Sequence, residues 1–573
     1  MTLMTETSSF QKVGPSFSNV ALPACAIVAA GILVYSNSFG GPFVLDDIGA
    51  IVQNKSIQDL SKVGTVLTGA THATVIGRPL LNLSLAVNYW LAGSEGVWDY
   101  HAVNLAAHLV AAILLFAVVH RTLLLPVMAG RTQRDATGLA FAVSLIWAVH
   151  PLQTESVTYI VQRAESLVAV FYFLTLYCVI RGATGTRPTA WYVTAIAACT
   201  CGMTTKEVMV TAPVVILFYD RVFLEQSFAE IRRKRAALYF GLAATWIWLA
   251  VLMRSSKDRS GTAGFGLGLG AWNYAMTQFG FIVRYLRLSF WPNPLVFDYG
   301  NPIAVTSMEI LPFATTVFCL LIAAVVALRY RPWIGFLGLS FFIILAPTSS
   351  VVPLVTQTAA EHRMYLPLAS LVALVVLLVH QLLDWVAARG TVSSGVVPAT
   401  SRVLHWVTLI FVATGLGYIT YQRNLDYQSE LTLWRKTALD FPSNARAYHA
   451  IGCEYLKAGQ ASRALQEFNH AIELSPDVIP LIYNRGNAYV AIGQLEEAIA
   501  DYRRVVALSP IGSVDQAQAY YQMGNALGSL GKHEEALECF VLALRAQPGY
   551  VDAQKMIEKV RRHLGRHQEN PDK

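Results

Sequence analysis

The chain has 573 residues, of which 54% are apolar and only 14% charged, with a mean hydropathy of +0.45 and a formal net charge of +7. Soluble domains carry about 25% charged residues, so this composition excludes a chain wholly dissolved in water. The basic excess forms no cluster interleaved with stacking aromatics, which excludes a nucleic-acid partner and fits loops lying against a cytoplasmic leaflet.

Apolar segments run at 20–38, 102–125, 138–150, 164–181, 190–204, 207–222, 236–254, 308–328, 332–350, 365–388 and 403–421. They predict an all-α, polytopic membrane domain of about eleven transmembrane helices. The first segment follows a polar tail and lacks a small-residue cleavage site, so it reads as a retained helix rather than a signal peptide. The seven cysteines follow no disulfide or metal spacing and read as packing residues.

Short-loop charges set the topology. With the N-terminus inside, the cytoplasmic loops hold Arg121, Arg131 and Arg134, then Arg181 and Arg187, then Arg221 with the run Arg232 to Arg235, then Arg329 and Arg331, then Arg389 and Arg402. Every alternate loop is basic, and the last helix leaves everything after Tyr421 on the outer face. The stretch 272–291 carries Arg284 and Arg287 between Trp272 and Trp291, and counting it as a span breaks this parity. A helix lying in the outer interface fits it better.

After the last apolar segment the chain repeats. Gly452, Gly486 and Gly524 recur at spacings of 34 and 38, as do Gly459, Gly493 and Gly531, and Ala464, Ala498 and Ala536; Pro442, Pro476, Pro510 and Pro548 close the units. A 34-residue period with small residues where paired helices cross is the tetratricopeptide signature. It predicts three full repeats, a leading half-repeat at 428–441 and a trailing helix at 550–565, an α-solenoid with caps. The expected division is therefore a transmembrane domain over 1–423 and a repeat domain over 424–573.

Ionisable residues are costly in a bilayer, about 2.5–3.5 kcal/mol each at its centre on insertion scales. Here they gather at the outer ends of helices: Asp46 and Asp47, Arg78, His150 and Glu155, Arg163 and Glu165, Lys206 and Glu207, and Glu361, His362, Arg363 and Tyr365. Each group alone has a plainer role. The aspartates suit a solvated turn, Arg163–Glu165 and Lys206–Glu207 suit ion pairs anchoring helix ends, His150–Pro151 suits a helix stop, and Tyr365 suits an aromatic belt. Taken together, these groups of mixed charge on one face read as a site. Carboxylates facing several cations at a membrane surface suit transfer from a lipid-linked phosphosugar, with a carboxylate as general base on an acceptor hydroxyl and the cations holding the phosphate.

These stretches resemble the transmembrane and tetratricopeptide-repeat containing (TMTC) proteins, a branch of the GT-C superfamily of polyprenyl-phosphate-sugar-dependent glycosyltransferases. The matching residues are FVLDD..AI..N, GRPL, HPLQTESV..IVQRAE, TTKE, RYLRLSFWPNPLVFDYG, EHRMYLP and SELTLW, in family order. The resemblance implies a GT-C-like fold and, by the characterised animal members, O-mannosylation of Ser/Thr from dolichyl-phosphate mannose. It puts the essential acid on Asp46 or Asp47, with Asp47 favoured as base and Asp46 as its partner or the ligand of a divalent cation such as Mg or Mn. Arg78, Arg163, Lys206 and Arg363 become candidates for binding the lipid phosphate, with His150, Glu155, Glu165 and Glu361 orienting them. Three repeats is a short array for the family, which points to a bacterial homologue in the cytoplasmic membrane (the ER membrane in a eukaryote), with a polyprenyl-phosphate donor whose sugar need not be mannose. The family's Glu-Arg-Val reads Glu361-His362-Arg363 here. The expected partners are that donor, a protein acceptor and the bilayer. A non-catalytic scaffold recruiting proteins through its repeats is the rival reading, and a lipid-sugar flippase, which would place charges deep within helices, ranks last.

Overall fold

The computed structural model describes residues 17–569 apart from 71, 73, 94–95, 256–269, 301–305, 350–356 and 391–398. Among the described residues every regular element is helical. The chain forms two compact units, one of Met1–Leu295 with Asn301–Gln428 and one of Val296–Gly300 with Ser429–Lys573. The division thus falls after Gln428 rather than after residue 423, and a short piece of the FWPNPLVFDYG stretch joins the repeats. The polar tail before the first apolar segment lies outside the described residues.

In the first unit α1 (Phe17–Val34) is followed by a long connection holding the short α2 (Val63–Thr68) and α3 (Pro79–Ala92). Then come α4 (Val97–Leu123), α5 (Arg131–Arg134), α6 (Ala136–Ala148), α7 (Thr154–Thr158), α8 (Arg163–Thr184), α9 (Pro188–Met203) and α10 (Ala212–Tyr219). The unit closes with α11 (Phe228–Ser255), α12 (Ala271–Phe290), α13 (Ser307–Tyr330), α14 (Pro332–Leu345), α15 (Pro367–Gly390) and α16 (Ala399–Asp426). Each of the eleven predicted apolar segments overlaps one of these helices.

Among the described residues, six stretches are long and apolar enough to cross a membrane unaided: Val97–Leu123, Ile160–Thr184, Phe228–Arg254, Met308–Tyr330, Pro367–Val386 and Val403–Asp426. A seventh results if Ala136–Ala148 and Pro151–Thr158, bent by 55°, are one broken span. The break has a local cause, because Pro151 has no N–H to continue the ladder and disfavours helical backbone at His150. α12 is not among the six. Its buried residues Tyr274, Thr277, Gln278, Phe281, Tyr285 and Leu288 recur at helical spacing on one face, as a helix laid along the bundle requires.

The basic ends collect as the charge alternation predicts. Arg121 and Arg181 lie over the Tyr177 ring at 5.4 and 5.9 Å, Arg181 also over Trp191 at 4.7 Å. Nearby, Arg235 donates to Tyr192 Oη at 3.0 Å and to Asp220 Oδ1 at 2.8 Å. The run Arg232 to Arg235 lies within α11, which kinks at Arg235, rather than in a loop before it.

The second unit consists of α17 (Glu430–Asp440), the pairs α18 (Ala445–Lys457) and α19 (Ala461–Leu474), α20 (Ile479–Ala491) and α21 (Leu495–Leu508), α22 (Val514–Ser529) and α23 (His533–Ala546), and α24 (Val551–Glu569). This is the predicted half-repeat, three repeats and trailing helix. Gly486 and Gly524 sit where paired helices touch: a Cβ there would lie 2.8 Å from Tyr502 and 2.7 Å from Phe540. At the first repeat, Asn444 caps α18 and also donates to Asp298 O at 2.7 Å, while Arg446 pairs with Asp298 Oδ2 at 2.6 Å. That contact explains why 296–300 belongs to this unit.

Candidate functional site

The two aspartates are neighbours in sequence with different environments. Leu45 takes a left-handed φ of 48°, a conformation uncommon for a bulky side chain, and this turn sets the course of the backbone that carries both carboxylates. Asp47 is buried, 1% exposed, and both its carboxylate oxygens accept backbone amides: Oδ2 from Val44 at 3.1 Å and Oδ1 from Val161 at 2.7 Å. Burial pushes its carboxyl up to about 8, against the pull of those two bonds. Asp47 thereby ties the first connection to the segment entering α8.

Asp46 is only partly buried. The Tyr159 hydroxyl accepts its amide at 3.0 Å and bonds its carboxylate. Burial raises the Asp46 carboxyl above the ordinary range, opposed by His72, then by the Tyr159 bond, then by Arg78. Gly49 leaves room for this corner, since a Cβ there would collide with the His72 ring. Neither His72 nor Tyr159 stands out in the sequence, because an isolated histidine in a long connection and a tyrosine in an apolar run carry no pattern.

The predicted cations sort into two sets. Arg78, just before Pro79 at the first position of α3, donates through Nη2 to Glu207 Oε2 at 2.9 Å, with 17% and 27% of the two side chains exposed. Lys206 Nζ meets Glu165 Oε1 at 2.6 Å, with 9% and 6% exposed. Burial lowers the Lys206 ammonium, and Glu165 opposes it. The pairs therefore run between motifs, Arg78 to Glu207 and Lys206 to Glu165, rather than within QRAE and TTKE.

Arg163 and Arg363 form the second set. Arg163 is fully buried and donates to Asn104 Oδ1 at 2.6 Å, Ser84 O at 3.2 Å and Tyr100 O at 3.0 Å. Arg363 donates to the carbonyls of Thr348 at 3.0 Å, Thr358 at 2.9 Å and Gln357. The Arg163 guanidinium holds together chain segments distant in sequence, whereas Arg363 binds carbonyls of the segment shortly before it.

The remaining predicted residues frame the site. His150 Nδ1 accepts the Leu152 amide at 3.2 Å and its Nε2 faces Ser289 O at 3.1 Å, so it caps the break between α6 and α7. Glu155 accepts the His362 amide at 3.0 Å and faces His362 Nδ1 at 2.6 Å. Burial first, then Lys206, holds the His362 ring well below its ordinary value, and it stays neutral. Glu361 faces Arg423, a residue of α16 not anticipated from sequence, at 3.7 Å. Tyr365 is fully buried and bonds His108 Nδ1 at 2.6 Å, so it is a core residue and not a belt anchor.

The end of α16 lies at this same end of the bundle. Besides Arg423, Asn424 accepts from Thr158 at 2.8 Å and donates to Val34 O at 3.0 Å. Chemically, the site offers one partly exposed carboxylate held by a phenol, with Arg78 close by.

Matches to tetratricopeptide-repeat families cover residues 445–478, 486–531 and 517–550. The chain is similar to protein O-mannosyl-transferase TMTC3 of Homo sapiens, 24% identical over 542 residues, covering 84% of this chain and 55% of the relative. It is similar to Tmtc2 of Drosophila melanogaster, 26% identical over 320 residues, covering 52% of this chain and 32% of the relative. Against TMTC4 of Homo sapiens it is 31% identical over 179 residues, covering 28% and 24%. At most the chain spans about half the length of these relatives. They bear out the resemblance read from the motifs.

Proposed function

We propose that this chain is a membrane glycosyltransferase that moves a sugar, mannose by its relatives' names, from a polyprenyl-phosphate donor to Ser or Thr hydroxyls of a protein on the non-cytoplasmic side. The observation that carries the reading is the Asp46 carboxylate, partly exposed under Tyr159 and facing Arg78. Asp46, not Asp47, is then the general base. It takes the proton as the acceptor oxygen bonds the anomeric carbon and the bond from that carbon to the phosphate oxygen breaks. A single displacement inverts the anomeric centre, and the polyprenyl phosphate leaves as an anion.

Arg78 and Lys206 bind that phosphate, each already held in place by a carboxylate, Glu207 and Glu165. Fixed cations aimed at developing charge are the largest electrostatic contribution available to such a site. Asp47, Arg163 and Arg363 are positioning residues, and His150, Glu155, Glu361, His362 and Tyr365 build the frame. The chain leaves the bundle through α16, whose last turn lies beside Glu361. That connection supports a repeat domain on the same side as the site, presenting the acceptor.

Purified protein in nanodiscs, given a polyprenyl-phosphate mannose and an acceptor protein, is expected to yield an O-linked product of inverted anomeric configuration. The scaffold reading replaces this one if no sugar moves from any polyprenyl-phosphate donor while the repeat domain alone recruits partners.

A further inference from the structure

A second polar cluster lies outside the site. His380 and Asp384 are four residues apart on α15 and so share one face. Facing them from α16, His405 puts its Nε2 3.1 Å from His380 Nδ1. The other ring nitrogen, His380 Nε2, lies 3.6 Å from Asp384 Oδ2 and 3.6 Å from Asp135 Oδ2, in the residue just before α6. His380 is 7% exposed, Asp384 13% and Asp135 53%. One ligating atom from each of His380, Asp384 and His405 falls within 4.8 Å of the others.

The 3.1 Å between His380 Nδ1 and His405 Nε2 is close to the edge of a tetrahedron of nitrogen and oxygen ligands around zinc, about 3.3 Å for bond lengths near 2.0–2.1 Å. Ionisable groups inside apolar spans are costly unless paired or ligated, and His380, Asp384 and His405 all fall within the span stretches Pro367–Val386 and Val403–Asp426. We propose that His380, Asp384 and His405 bind one divalent cation of the zinc class. Two imidazoles among the donors select against Mg and Ca, which take oxygen ligands.

The ion joins α15 and α16. His380 lies 13 residues beyond Pro367, the start of α15, about 20 Å along the helix from the sugar-transfer end. The metal is therefore a staple at the far end of the bundle and takes no part in the transfer.

Full-length protein in detergent, stripped with EDTA and titrated with Co2+, tests this. The expected result is the visible absorption of tetrahedral cobalt, saturating at one ion per chain and displaced by Zn2+. Asp384→Asn, nearly isosteric, and His405→Ala are each expected to weaken binding by about tenfold or more, whereas His470→Ala in the repeats leaves it unchanged. Zn2+ is also expected to protect His380 and His405 of the unmutated protein from diethylpyrocarbonate, a readout that does not depend on how any variant folds. Absence of the cobalt spectrum, equal binding by Asp384→Asn and His405→Ala, or no protection would overturn the proposal.

Discussion

Asp47 and Val161 are 114 residues apart in sequence and joined by a 2.7 Å hydrogen bond from the valine amide to the aspartate carboxylate. With the Val44 amide on its other oxygen, this side chain is a structural clasp. Asp47→Asn leaves one of the two buried amides facing an NH2 group instead of an acceptor. An unsatisfied buried group costs about 1–3 kcal/mol, so Asp47→Asn is expected to melt earlier than wild type, and Asp46→Asn to melt alongside it. Thermal unfolding in detergent distinguishes them.

The same residue predicts a pH dependence of stability. Its folded value, raised from 3.8 to about 8, means the folded state holds the proton more tightly than the unfolded chain. Its stabilisation is complete below the unfolded value and is lost as pH rises toward 8. Unfolding followed between pH 5 and 8 should show the wild type losing stability with a slope that Asp47→Asn flattens. Equal slopes would contradict the assignment.

Tyr159 bonds the Asp46 carboxylate and lowers its proton affinity. Tyr159→Phe removes that bond, so the Asp46 carboxyl rises further. A base works only when ionised, and the acidic limb of the kcat–pH profile is expected to move to higher pH, with activity at neutral pH reduced. An unmoved limb in a folded variant would remove Tyr159 from the mechanism.

Arg78 and Arg163 should behave differently when changed. Arg78 is partly exposed and pairs with Glu207 through its planar fork, so Arg78→Lys is not conservative and is expected to raise KM for the lipid donor with stability little altered. Arg163, fully buried with its donors on Asn104, Ser84 and Tyr100, is expected to lower stability first on change to Lys. Steady-state kinetics beside unfolding curves separates the two outcomes.

The helix crossings in the repeats give a prediction independent of the site. A methyl group at Gly486 would lie 2.8 Å from the Tyr502 ring, and overpacking of this kind costs about 1–3 kcal/mol. Gly486→Ala is expected to make the repeats more sensitive to limited proteolysis without changing the donor KM.

Much of the fold is legible from sequence because its signals are local. Apolar runs mark the helices, alternating arginines gather Arg121, Arg181 and Arg235 at one end, and the recurring glycines mark the helix pairs. The gathering of charged motifs is legible for the same reason, since a bilayer confines such residues to helix ends. Individual roles are not, because they depend on partners distant in sequence. Arg163 meets Ser84 and Tyr100, and Lys206 meets Glu165 rather than the Glu207 beside it. Asp46 and Asp47 are chemically identical and adjacent; only the turn at Leu45 and the amide of Val161 distinguish them, and no spacing rule encodes either.

The most direct test of this account is sugar transfer from polyprenyl-phosphate mannose by Asp46→Asn, measured beside wild type after its folding has been verified by unfolding. Loss of a general base predicts a rate lower by about 10²–10⁴-fold with the donor still bound. Transfer at the wild-type rate would contradict the assignment of Asp46 as the base.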